Sequence, residues 1–116
     1  MSAAGEDGDR GAGPVPVARM IEDVVGCKWT LSVLDCVRRG IGRPGEIERS
    51  ITGLRTKVLN ERLRKLLRFG VLSRTVYAEV PPRVEYRLTD FGLRFVDVLD
   101  RIAALQAGRE DGPSLR

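Results

Sequence analysis

The chain has 116 residues, 42% of them apolar and 31% charged, a composition that fits one soluble domain with one core. Arg94, Asp97, Asp100 and Arg101 interrupt the most apolar stretch, so no segment reaches the ~20 apolar residues of a membrane span. The acidic, glycine-rich start is not a signal peptide, and the expected location is the cytoplasm, with no membrane partner.

The net charge of +4 is unevenly placed. Residues 1–13 carry Glu6, Asp7 and Asp9 against Arg10, whereas residues 43–87 carry eleven Arg or Lys against five Glu or Asp. A basic middle behind an acidic tail points to a polyanionic partner. Histidine is absent, which removes the commonest general base and the commonest zinc ligand. Cys27 and Cys36 form no metal-binding spacing, and if both lie at or in one helix, a rise of ~1.5 Å per residue sets them too far apart for a disulfide. With no phosphate-cradling glycine loop and no nucleophile elbow, neither catalysis nor a metal or cofactor is expected.

Taken in chain order, residues 1–13 and 108–116 lack apolar periodicity and are expected to be disordered tails around a domain at 14–107. Val17, Met20, Ile21, Val24 and Val25 recur at helical spacing after Pro16, and Gly26 closes that helix. "KWTLSVLDCVRR" predicts a second helix with Trp29, Val33, Cys36 and Val37 on one face, ended by Gly40. "RPGEIERSI" predicts a short helix over 44–51 with Ile47 and Ile51 inward, followed by a tight turn at Gly53. "TKVLNERLRKLLRF" is the clearest helix: Leu59, Leu63, Leu66 and Leu67 form its stripe, and Lys57, Asn60, Glu61, Arg64, Lys65 and Arg68 its polar side.

"VLSRTVYA" and "VEYRL" are rich in β-branched and aromatic residues and predict two strands joined by a proline-stiffened loop. Thr89 is placed to cap the last helix, which runs to about Ala107 with Phe91, Phe95, Val98, Leu99, Ile102 and Leu105 near heptad spacing. Leu93, Val96 and Ala103 lie outside that stripe, and the first helix is similarly rich in apolar residues. A homodimer is the simple way to cover both.

Short helix, glycine turn and basic helix make a helix-turn-helix, and a hairpin directly after it makes the fold winged. The expected class is α+β, mostly α, with a two-stranded wing and terminal dimerisation helices. The 55–69 helix would enter the major groove of double-stranded DNA, and the wing at 79–83 would meet the flanking groove or backbone. Candidate contacts are Arg43, Arg55, Thr56, Lys57, Asn60, Arg64 and, at the wing tip, Arg83. Asn suits adenine, Arg suits guanine or phosphate, and a first-turn Thr or Lys reaches phosphate or bases. Two other partners are disfavoured. A protein-binding winged helix would show an apolar patch on this face, and an RNA-binding face would need exposed aromatics.

From Val17 to about Leu105 the chain resembles the HxlR-type winged helix-turn-helix regulators of bacteria and archaea. The likeness rests on "GCKWTLSVL", "GEIERSITGL", "TKVLNERLRKL" and "GVLSRTVYAEVPPRVEYRLTDFG". It implies a dimeric regulator whose two recognition helices read a pseudo-palindromic operator. Two positions depart from the family pattern: Val15 stands where many members carry a redox-sensing cysteine, and Arg55 replaces a common capping serine. Nothing in the sequence marks an effector site. Cys27 is the one candidate redox residue, beside Lys28 and one residue ahead of a helix; its expected role is an inert filler in a packed turn.

Overall fold

The computed structural model describes residues 15–111. Its elements are α1 (Val17–Val25), α2 (Lys28–Arg38), α3 (Pro44–Ser50), α4 (Thr56–Arg68), β1 (Leu72–Tyr77), β2 (Arg83–Leu88) and α5 (Asp90–Asp111). The expected tail at 1–13, and residues 112–116 of the one expected at 108–116, lie outside the described residues. Helix α5 continues through 108–111, past the expected boundary at Ala107. Extending an existing helix is far easier than starting one, so loss of the apolar stripe does not end it.

The core forms where the helical stripes converge. Val24 of α1, Val33 of α2, Ile47 of α3 and Leu59, Leu63 and Leu66 of α4 are all buried, and Val71 and Phe95 close the cluster. Each such side chain contributes about 1.5–3 kcal/mol on leaving water. Leu67, placed in the α4 stripe by spacing, is only half-buried. Between α3 and α4, Gly53 has φ of 87°, a left-handed conformation that suits glycine. The turn it makes lets Leu54 drop into the core at 6% exposure.

The wing is a two-stranded antiparallel hairpin in register from Leu72 opposite Leu88 to Tyr77 opposite Arg83. Thr89 caps α5 as expected: its hydroxyl accepts from the Gly92 N–H at 2.8 Å and donates to the Gly70 carbonyl at 2.5 Å. The free edge of β2 also holds the chain ahead of α3, because the Tyr86 N–H donates to the Gly42 carbonyl at 2.8 Å. A Cβ on Gly42 would lie 2.4 Å from the Tyr86 carbonyl oxygen, so only glycine permits this approach.

Helix α5 packs its first turns on the body, with Phe95 and Val96 buried and the Phe91 and Phe95 rings 5.8 Å apart. Val96 was expected to lie outside the packed stripe. It is instead at 6% exposure in the core, because the body meets a wider arc of this helix than the heptad row alone. Farther along, Arg38 of α2 forms a two-point ion pair with Asp100, Nη1 donating to Oδ1 at 2.8 Å and Nη2 donating to Oδ2.

Candidate nucleic-acid interface

Helix α4 turns Leu59, Leu63 and Leu66 into the core, and the same 3.6-residue period turns Lys57, Asn60, Glu61 and Arg64 to solvent. The side chains of Lys57, Asn60 and Arg64 form no hydrogen bond or ion pair with other described residues, so their donors are uncommitted. The face is polar and cationic, unlike the apolar patch of a protein-binding winged helix. Lys65, grouped with this face by spacing, turns instead toward α1 and lies 3.7 Å from Asp23. It is half-buried at the edge of the helix pair.

The start of α4 is held from the side. Arg55 occupies its N-cap in an extended conformation and supplies no capping hydrogen bond, since guanidinium has no acceptor. Thr56 donates its hydroxyl to Glu48 of α3 at 2.7 Å, which fixes the angle between the two helices. Thr56 is therefore engaged within the protein. The role of Glu48 was not visible in the sequence, because eight residues and a turn separate the pair.

Two arginines are placed differently from their expected settings. Arg83 is not at the wing tip; it opens β2 opposite Tyr77, with its guanidinium carbon 4.1 Å from the Tyr77 ring centre. It also pairs with Glu79 at 3.2 Å and Glu85 at 3.9 Å, and it anchors the base of the loop. The tip itself carries Val80, fully exposed, and the cis Val80–Pro81 bond. Arg43, at the N-cap of α3, sits 3.7 Å from Glu85. Arg87 reaches the same carboxylate at 3.7 Å. The alternation of Arg83, Glu85 and Arg87 is the signal that could have revealed this cluster, since a period of two puts all three on one face of β2.

Among the described residues, then, an uncommitted cationic helix face is braced from below by a short helix and flanked by an arginine-bearing hairpin. A model of the HxlR-like helix-turn-helix family matches residues 24–111. The protein belongs to this family.

Its HxlR-like relatives are transcriptional regulators of the helix-turn-helix type, and so is this chain. The chain is 37% identical over 82 residues to the regulator YtcD of Bacillus subtilis strain 168, a match covering 71% of this chain and 65% of that protein. A regulator from Synechocystis, sll1512, is 36% identical over 99 residues, covering 85% of this chain and 73% of the relative. Among solved structures, the reduced form of the B. subtilis transcriptional regulator YodB superposes with a TM-score of 0.71 at 27% identity. That match covers 87% of this chain and 98% of YodB.

In this HxlR-like chain Cys27 is the N-cap of α2, half-buried and free. Burial pushes its thiol up, but the Thr30 hydroxyl, the backbone N–H groups of Thr30 and Trp29, and the charge of Arg62 together bring it below the ordinary value. Arg62, not the adjacent Lys28, supplies the nearby cation. Lys28 instead extends over the Trp29 ring, 5.5 Å from its centre. Cys36 is in the core at 1% exposure, where burial pushes its thiol up.

Proposed function

We infer that the protein is a sequence-specific double-stranded DNA-binding regulator that acts as a homodimer in the cytoplasm. The observation that carries this reading is the row of Lys57, Asn60 and Arg64, solvent-facing and uncommitted, on a helix whose other side is locked into the core. A helix of this width fits the major groove, and residues in its first turns reach base edges. Asn60 is suited to adenine and Arg64 to guanine or phosphate, with Arg55 and Lys57 near the groove edge. Thr56 takes a lesser part in base contact, since its hydroxyl is given to Glu48. Arg43 and Arg83 serve the flanking backbone.

The dimer is supported by apolar surface that one copy leaves open. Val17 and Ile21 of α1 and Phe91, Arg94, Phe95 and Val98 of α5 line a groove, and Val25, Leu93 and Leu105 are exposed elsewhere on the same two helices. Two copies joined along α1 and α5 would cover the exposed Val17 and Val98 of this groove and present two α4 helices to a pseudo-palindromic operator.

A gel-shift titration with DNA from upstream of the protein's own gene and with a random duplex, over a salt series, tests the reading. Expected is tighter binding to the upstream duplex, with affinity for both falling as salt rises. Absence of salt-dependent binding to either duplex would remove the reading. A monomer mass by light scattering at micromolar concentration would remove its dimeric part.

A further inference from the structure

The wing face that carries Arg83, Glu85 and Arg87 has an uncommon charge arrangement. Arg43 joins it from another segment, held there by the hydrogen bond between the Tyr86 N–H and the Gly42 carbonyl. Three guanidinium groups thus surround one carboxylate: Arg43 Nε and Arg87 Nη2 at 3.7 Å, and Arg83 Nε at 3.9 Å. All three separations exceed the ~2.7–2.9 Å of a charge-assisted hydrogen bond. Glu85 therefore shares with Glu79, 3.2 Å from Arg83 Nη2, in balancing the charge of the cluster, and leaves the N–H donors of Arg43 and Arg87 unconsumed. The Arg83 Nε is shut off from water and has no acceptor within hydrogen-bonding reach. The Arg43 and Arg87 side chains are 46% and 68% exposed and remain open to a second anion.

A carboxylate and a phosphodiester are similar ligands for arginine: each offers two oxygens that share one negative charge. Arginines that converge on one anion from two chain segments suit a backbone phosphate as well, and here the protein supplies an anion of its own. We propose that Glu85 stands in for a DNA backbone phosphate in the free protein, holding the exposed Arg43 and Arg87 beside the enclosed Arg83 until a duplex supplies the real one. This rests on the DNA-binding reading above. The phosphate must compete with Glu85 whatever the base sequence, so Glu85 lowers affinity for every duplex by about the same factor. Discrimination is left to the α4 side chains.

The test compares wild type, Glu85→Gln and Glu85→Asp on a random 30-base-pair duplex and on the upstream duplex, by fluorescence anisotropy from 50 to 300 mM salt. Glu85→Gln keeps the shape but removes the charge. It should tighten binding to both duplexes by a similar factor, up to about 8-fold at 0.1 M salt, and steepen the log–log salt slope by about 0.9 for each additional phosphate neutralised. Glu85→Asp keeps the charge and should stay near the wild-type slope. Weaker or unchanged binding by Glu85→Gln overturns the proposal and makes Glu85 a plain brace for the arginines. So does a Glu85→Asp protein that behaves like Glu85→Gln, because the effect would then follow shape and not charge.

Circular dichroism establishes that each variant is folded. Should Glu85→Gln not fold, Arg87→Gln carries the test: it should weaken both duplexes equally and flatten the slope by about 0.9, and an unchanged slope overturns the proposal. Wild type that binds neither duplex would sink the DNA reading itself. Wild type that binds while Glu85→Gln fails to tighten sinks only the role of Glu85.

Discussion

Replacing Gly42 by alanine tests how the loop ahead of α3 is seated. The new Cβ would lie 2.4 Å from the Tyr86 carbonyl oxygen and 3.4 Å from the Tyr86 nitrogen and carbonyl carbon, all backbone atoms that cannot rotate aside. Relief requires the loop to move off β2 by roughly 0.8 Å, to reach the ~3.2 Å that carbon and oxygen tolerate. That movement breaks the 2.8 Å hydrogen bond between the Tyr86 N–H and the Gly42 carbonyl. The lost bond costs about 0.5–1.5 kcal/mol and the overpacking about 1–3 kcal/mol. Alanine also restricts the unfolded chain, which returns about 0.4–1 kcal/mol.

The net destabilisation expected is about 0.5–4 kcal/mol. Gly45→Ala, three residues along in α3, is the control. Its Cβ would meet only the Arg49 side-chain end at 3.5 Å, and alanine favours the helix by about 0.5–1 kcal/mol. Urea unfolding at one fixed protein concentration should therefore move the two midpoints in opposite directions. A Gly42→Ala protein as stable as wild type, or two variants shifted the same way, would refute the seating of this loop.

Arg64→Ala should cost about 1–3 kcal/mol on a selected site and much less on a random duplex; equal losses on both would make Arg64 a phosphate contact. The hydrogen bond from Arg38 holds the Asp100 carboxyl below its usual range, so the stabilisation from this pair is present above the unfolded aspartate pKa and lost as pH falls through the lowered folded value. Arg38→Ala should accordingly cost more stability at pH 7 than at pH 3 by urea titration, and equal costs would show the pair to be idle. Iodoacetamide should label Cys27 with a pH midpoint below that of the unfolded chain, while Cys36 stays protected until unfolding; the reverse order of labelling would contradict the burial of Cys36. Because Cys27 is half-buried at the N-cap of α2 and Cys36 lies in the core, diamide should leave DNA binding unchanged, and Cys27→Ser should bind as wild type. Loss of binding that a thiol reductant restores and Cys27→Ser abolishes would make Cys27 a sensor.

Local patterns carried most of the fold. The stripes on α1, α2 and α4, the turn at Gly53, the hairpin and the Thr89 cap were all legible because each depends on residues within a few positions of one another. Long-range contacts were not legible. Spacing alone cannot distinguish the solvent side of α4 from the edge that meets Asp23, so Lys65 and Arg64 read alike. The stacking of Arg83 on Tyr77 depends on strand register, and the place of Arg62 near Cys27 depends on how two helices pack. Val96 was misplaced for the same reason, since the arc of a helix that the body covers is a tertiary fact.

In the proposed complex two α4 helices lie in successive major grooves of one duplex. Dimethyl sulfate protection on a duplex selected from a random library tests it most directly, because the reagent marks guanine N7 in the major groove and adenine N3 in the minor groove. Expected are two patches of protected guanine N7 whose centres lie about 10 base pairs apart or a multiple of that, both lost in a folded Lys57→Ala, Asn60→Ala, Arg64→Ala triple variant. Protection confined to adenine N3, or guanine protection that survives the triple substitution, would contradict it.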